Sequence, residues 1–169
     1  MSFICRLSLT LVFLAAVAGK LRGRGDLARF RAAVGEFGVA PRWSSAVSGA
    51  VIAGELVSAS LMLIDATAPV GLGLAAMLLA AFTGAIGSAV RRGATTSCRC
   101  FGASDQPLGV RHVVRNVILL SVAAAGMAGT LLASGGLDVT AMLLSGFVAV
   151  VLATLVIAYD DLVALILVR

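Results

Sequence analysis

Charge is what this sequence has least of. Charged residues make up 12% of its 169 positions, about half the ~25% of a soluble domain, and 60% of the chain is hydrophobic. A soluble core of this size cannot hide that much apolar surface, so aqueous globular, disordered and fibrous classes are excluded. The alternation of apolar and polar residues that marks a barrel strand is also missing; the apolar runs are continuous, and only helices then satisfy the backbone inside lipid. Proline is rare, at 3 residues. No glycine-rich phosphate loop, metalloprotease helix or nucleic-acid module is visible. The net charge of +5 lies between apolar runs rather than on a soluble face, so it signals membrane topology and not DNA binding. Glycine, by contrast, is plentiful at 19 residues, as is usual in membrane helices.

A span needs roughly 20 apolar residues. Five stretches meet or approach this, at residues 3–19, 44–64, 70–90, 113–133 and 140–159. The predicted fold class is therefore all-α, a polytopic membrane helix bundle of four to five transmembrane helices forming a single domain over residues 1–169. The first stretch is short and contains Arg6, and Ala16-Val17-Ala18 before Gly19 resembles a signal-peptidase site. The charge count argues against the orientation such a signal requires. One side of the bundle carries only Arg6, and the other carries the remaining 12 of the 13 basic residues. The positive-inside rule puts the rich side in the cytoplasm, with the N-terminus outside and the loop 91–112 inside, in a cell inner (plasma) membrane.

Short turns at 65–69 and 135–139 predict two antiparallel hairpins, spans two with three and four with five. Small residues recur every fourth position: Ala50, Gly54, Ser58; Ala76, Ala80, Gly84, Ser88; Ser121, Ala125, Gly129, Ala133; and Ala141, Ser145, Ala149, Ala153. Such rows let helices approach closely, though an Ala- and Gly-rich chain also produces them by chance. Between the first two spans, Asp26 is placed to cap a helix running to about Phe37, with Leu27, Phe30, Val34 and Phe37 on one face and Gly38 and Pro41 ending it. This is a short interfacial amphipathic helix whose basic residues can meet anionic lipid; a plain connector is the alternative. Asp160 and Asp161 are placed at the end of the fifth span, followed by a tail that continues the helix or lies on the surface.

The sharpest chemical feature is Cys98-Arg99-Cys100-Phe101-Gly102, in the polar loop 91–112. Two cysteines one residue apart close only a very small disulfide ring, which tends to strain the bond, and a strained bond suits exchange better than stapling. Arg99, with Arg91 and Arg92 nearby, favours the thiolate, the attacking species. Two incidental loop cysteines are the competing reading, and two sulfurs are too few for a closed zinc site. His112, at a helix start, is expected to be a surface group. Cys5, near the opposite face, is either an inert apolar-facing residue or a far-side relay thiol. Glu55 is the one acid well inside a span. An unpaired carboxylate there costs roughly 2.5–3.5 kcal/mol, so it must be protonated, paired or facing water. Lys20 and Arg115 are its candidate partners. A structural ion pair and a proton relay both fit. Arg115-Asn116 opens span four and can hold the loop against the bundle.

Gly19-Lys20, Phe30, Gly38, Pro41, Glu55-Leu56, the run Cys98 to Gly102 and Arg115-Asn116 together resemble the methylamine-utilisation MauE group, within the wider DoxX-like redox-associated membrane proteins. The likeness covers about residues 10–120. It implies a four- or five-helix bundle that supports disulfide formation or thiol maintenance in exported proteins, often beside a thioredoxin-like partner. It implies Cys98 and Cys100 as the redox pair, with Glu55 and Lys20 at polar positions inside the bundle. Two departures stand out: Arg99 occupies a position often held by glycine, and the charge count puts the pair in the cytoplasm rather than outside. The expected function is membrane thiol–disulfide exchange, by Cys98 and Cys100 with Arg99 between them and Glu55 managing protons. A quinone is a candidate electron carrier, although no residue specifies one. The bilayer and a thioredoxin-like protein are the expected partners. The alternatives are a non-catalytic scaffold or assembly subunit, and a small-solute carrier using Glu55.

Overall fold

The computed structural model describes residues 2–92, 110–132 and 139–167. The described residues form six α-helices: α1 Ser2–Leu21, α2 Arg24–Glu36, α3 Pro41–Leu63, α4 Ala68–Arg91, α5 Val110–Leu132 and α6 Val139–Leu167, with one 3₁₀ turn, Asp65–Thr67, between α3 and α4. Five of them, all but α2, are long and apolar enough to cross a membrane. They match the five predicted stretches, each shifted by a few residues at its ends. The tail after Asp160 continues α6 to Leu167.

α1, α3, α4 and α5 form a closed ring in which each packs against two neighbours: α1 on α3, α3 on α4, α4 on α5 and α5 on α1. α1 and α4 sit on the diagonal and barely meet. The core is built from Leu9, Val12 and Phe13 of α1, Ala59 and Met62 of α3, Leu72, Ala75 and Leu79 of α4, and Leu119 and Ala123 of α5. α6 lies outside the ring and leans chiefly on α1. Predicted hairpin four–five therefore differs from what is observed: α5 and α6 are consecutive, yet they touch only slightly. The reason is visible on α6. Its row Ala141, Ser145, Ala149 and Ala153 is its most buried stripe, and the Ser8 hydroxyl donates to the Ala149 carbonyl at 3.2 Å. The small-residue row thus mates with α1, while Leu143 and Phe147 face outward, Phe147 at 70% exposure.

The other small-residue rows are seams only in part: Gly54 faces Leu78 and Gly129 stands against Ser2 of α1, and Ser58 is fully buried, but most of the remaining members face outward. Ala80, Gly84, Ser121, Ala125 and Ala50 are at most half-buried or exposed. The main contact lines run through larger residues such as Leu72, Leu79 and Ile86. One close approach does need glycine. A Cβ on Gly71 would stand 2.8 Å from the Met62 backbone nitrogen and 3.0 Å from the Leu61 Cβ, and the Ser58 hydroxyl donates to the Gly71 carbonyl at 2.8 Å. This is where α3 and α4 fold back on each other. Gly71→Ala must push the two helices apart at backbone level. The expected cost is about 1–3 kcal/mol, read as a lower midpoint of thermal unfolding in detergent, with Gly84→Ala, which meets open space, as the unaffected control.

At this end of the bundle Arg6 crosses from α1 to the α3–α4 turn. Its Nε donates to the Met62 carbonyl at 2.8 Å, and its guanidinium pairs with the Asp65 carboxylate. A cation against the last carbonyls of α3 satisfies orphaned acceptors and complements the helix dipole. Arg6 in an apolar stretch is thereby explained: it is buried and paired.

At the opposite end α2 folds over the bundle. Its helix begins after Gly23, whose backbone is extended, and Asp26 sits in the first turn without capping it. Asp26 instead accepts from Arg29 at 2.6 Å, which corrects the expected cap. Gly38 ends the helix with φ of +97°, a left-handed conformation that favours glycine. The predicted amphipathic face is real. Phe30, Ala33 and Val34 are buried against Ile86 and Ala89 of α4, with Val47, Val51 and Ile52 of α3 around them.

Candidate functional site

The charged interior lies under α2. Lys20, the penultimate residue of α1, donates through Nζ to both carboxylate oxygens of Glu55, at 2.7 and 2.9 Å. Lys20 is 1% exposed and Glu55 0%. Of the two candidate partners named from the sequence, Lys20 is the one that holds Glu55. The geometry follows from antiparallel packing: α1 ends where α3 is still near its middle, and a lysine stem is long enough to reach back into the bundle. Two rings flank the ammonium. The Lys20 nitrogen stands 5.1 Å from the centre of Phe30 on α2 and 5.9 Å from that of Phe82 on α4, both within cation–π range. Removing two charges from water is costly, and only good geometry with full hydrogen bonding repays it. Here the ammonium has two carboxylate acceptors and two aromatic faces.

α5 supplies further polar groups at this level. His112, Arg115 and Asn116 are all buried, at 3%, 3% and 1% exposure, and Arg115 lies close enough to act electrostatically on Lys20. His112 therefore differs from the surface group expected: the first turn of α5 is inside the bundle, because α2 closes over that end. Ser48 of α3 is buried as well and donates to the Ser44 carbonyl one turn earlier. Five helices, α1 to α5, thus contribute described side chains to this polar region.

Cys98, Arg99 and Cys100 lie outside the described residues. What the structure does place is the frame on either side of them. α4 ends at Arg91 and α5 begins at Val110 on the same end of the bundle as Lys20 and Glu55. Cys5 is half-buried at the other end, where its Cβ would come within 3.0 Å of a Cβ on Gly126. Among the described residues no group of three or more His, Cys, Asp or Glu is arranged to hold a metal ion.

Sequence reasoning missed the two aromatic rings around Lys20 and the Arg6–Asp65 latch. A signal for the latch was present. α1 carries two cations, fourteen positions apart, and the antiparallel α3 segment supplies two carboxylates, Glu55 and Asp65, ten positions apart. Matching each buried cation to a carboxylate at its own depth would have found both pairs. Phe30 and Phe82 carried no such mark, because a phenylalanine beside a lysine looks the same in sequence as one in a core.

Five apolar helices, four of them ringed about a buried lysine–glutamate pair, define a multi-pass helical membrane protein with a charged interior. Within that class the chain belongs to the MauE family: it matches the family described as methylamine utilisation protein MauE over residues 1–129. No curated protein and no solved structure matches it. The matched stretch takes in the ring α1, α3, α4 and all but the last turn of α5, together with α2, and stops before α6.

Proposed function

We propose that this protein is a membrane thiol–disulfide exchange component in which Cys98 and Cys100 alternate between dithiol and disulfide. One thiolate attacks a disulfide of a thioredoxin-like partner and forms a mixed disulfide, releasing one partner thiolate. The second cysteine then attacks the first cysteine's sulfur. The partner leaves as a dithiol, and Cys98 and Cys100 are left joined and oxidised by two electrons. The reverse sequence oxidises the partner instead. Arg99 favours the thiolate form. Glu55, held by Lys20, handles the protons that the two thiols release or regain. The protein sits in the inner (plasma) membrane with the cysteines on the cytoplasmic side.

The observation that carries this reading is the convergence of charge at one bundle end. α4 and α5 both open there, the sequence joining them holds the cysteine pair, and the same end buries Lys20, Glu55, His112, Arg115 and Asn116. Buried ionisable residues in a membrane bundle are costly and mark function more often than packing. Family membership supports the reading further.

Labelling with a membrane-impermeant maleimide tests both chemistry and orientation, in a Cys5→Ser background so that only the pair reports. In intact cells no labelling is expected. After permeabilisation, labelling should appear only once a reductant has been added, for the fraction that was oxidised. Labelling that never responds to reduction overturns the redox cycle. Labelling of intact cells inverts the orientation.

A further inference from the structure

α2 is amphipathic in an unusual way. An interfacial helix ordinarily spends its apolar face on lipid, whereas here that face is consumed by the protein, with Phe30, Ala33 and Val34 buried on α3 and α4. The outer face holds no bulky apolar side chain. It consists of Gly25, Ala28, Arg29, Arg31 and Ala32, all exposed, with Glu36 at its end. Small residues between the arginines leave the guanidinium groups open. Around them the same rim adds exposed Arg22, Arg42, Arg91 and Arg92. Among the described side chains, two carboxylates share this rim with the six arginines: Asp26, which Arg29 engages, and Glu36. At the other end of the bundle the described basic residue is Arg6, which is buried.

The height of this surface is fixed. α2 is tied on both sides to helices that span the membrane, and the Ser44 hydroxyl at the start of α3 donates to the Arg31 carbonyl at 2.6 Å. Trp43, one position before Ser44, is 57% exposed, as a residue of the headgroup belt is. The arginines of α2 therefore stand at the depth of lipid phosphates. We infer that the outer face of α2, with Arg42, is a docking surface for anionic phospholipid headgroups, and that these headgroups press α2 and its Phe30 onto the Lys20–Glu55 pair. The attachment is chiefly electrostatic, because the exposed outer face of α2 carries alanine as its largest apolar side chain. It does not depend on the cysteine chemistry and stands or falls separately.

Amide hydrogen exchange of the full chain in nanodiscs tests this. One set of discs is phosphatidylcholine, and the other contains one-third phosphatidylglycerol. Amides of α2 should exchange several-fold more slowly in the anionic discs, while those of α4 do not change. The difference should vanish in 0.5 M salt. Arg29→Gln, Arg31→Gln and Arg42→Gln combined should bring exchange in anionic discs to the wild-type rate in phosphatidylcholine, whereas the three arginine-to-lysine changes should keep most of the protection. Equal α2 exchange in the two lipids overturns the proposal. So does protection that appears only when a soluble polyglutamate is added, which would make an acidic protein the partner.

Discussion

Glu55→Leu is expected to be among the most damaging single changes in the protein. It removes the carboxylate that takes both described hydrogen bonds of the Lys20 ammonium, which is 1% exposed, and breaking one side of a buried pair costs about 3–5 kcal/mol. The two aromatic faces at 5.1 and 5.9 Å offset only part of that loss, since a cation–π contact contributes roughly 0.5–2 kcal/mol. Lys20→Met should be damaging for the mirror-image reason. The decisive measurement is the double variant, Lys20→Met with Glu55→Leu. Removing both charges together strands neither member of the pair, and such replacements are often neutral or stabilising. The double variant should therefore unfold in detergent closer to the wild type than to either single variant. If all three variants are equally unstable, the pair is not an energetic unit. The same double variant separates fold from function. A well-folded double variant with no thiol exchange makes the pair part of the proposed chemistry; one with full exchange makes it structural.

The second large effect is expected at the cysteines. Cys98→Ser and Cys100→Ser should each abolish exchange outright, because a single thiol can begin the reaction but cannot release the partner. They should also differ from each other in a telling way. The variant that retains the attacking thiol accumulates a mixed disulfide with its partner, visible as a reductant-sensitive band of higher mass on a denaturing gel. The variant that retains only the resolving thiol gives none. Thermal unfolding should be unchanged in both, since neither cysteine lies in a described helix. A scaffold would tolerate both substitutions, and a carrier dependent on Glu55 would suffer more from Glu55→Gln than from either serine.

Much of this architecture was legible in the sequence for a plain reason: the length and continuity of apolar runs record what a bilayer demands. The five stretches at 3–19, 44–64, 70–90, 113–133 and 140–159 correspond to α1, α3, α4, α5 and α6, and the spacing of Phe30 and Val34 gave the inner face of α2. Lateral order was harder to read. α6 pairs with α1, far away in sequence, because its small-residue stripe fits there, and an all-apolar helix carries little else to announce its partner. Four-residue spacing of small side chains was an uneven guide elsewhere: Gly54, Ser58 and Gly129 do meet neighbouring helices, whereas Ala80, Gly84 and Ala125 occur on exposed faces simply because alanine and glycine are common. Asp26 misled because a good capping residue was taken to start the helix, while the extended backbone at Gly23 lets α2 begin earlier. At the site, Glu55 announced itself by its isolation in an apolar run, and its partner followed from the need for a cation. The burial of His112 and Asn116 could not be foreseen, as it depends on α2 closing the bundle from another part of the chain.

The central place of α1 also bears on how its charges are balanced. α1 enters the membrane carrying two positive side chains, Arg6 and Lys20, and no acid. Their counter-charges arrive 59 and 35 residues later, with Asp65 and Glu55. Both cations lie near the ends of α1, where a long side chain can reach the interface, but in the folded bundle both are buried and need their partners. α1 therefore depends on α3 and its following turn for both of its counter-charges.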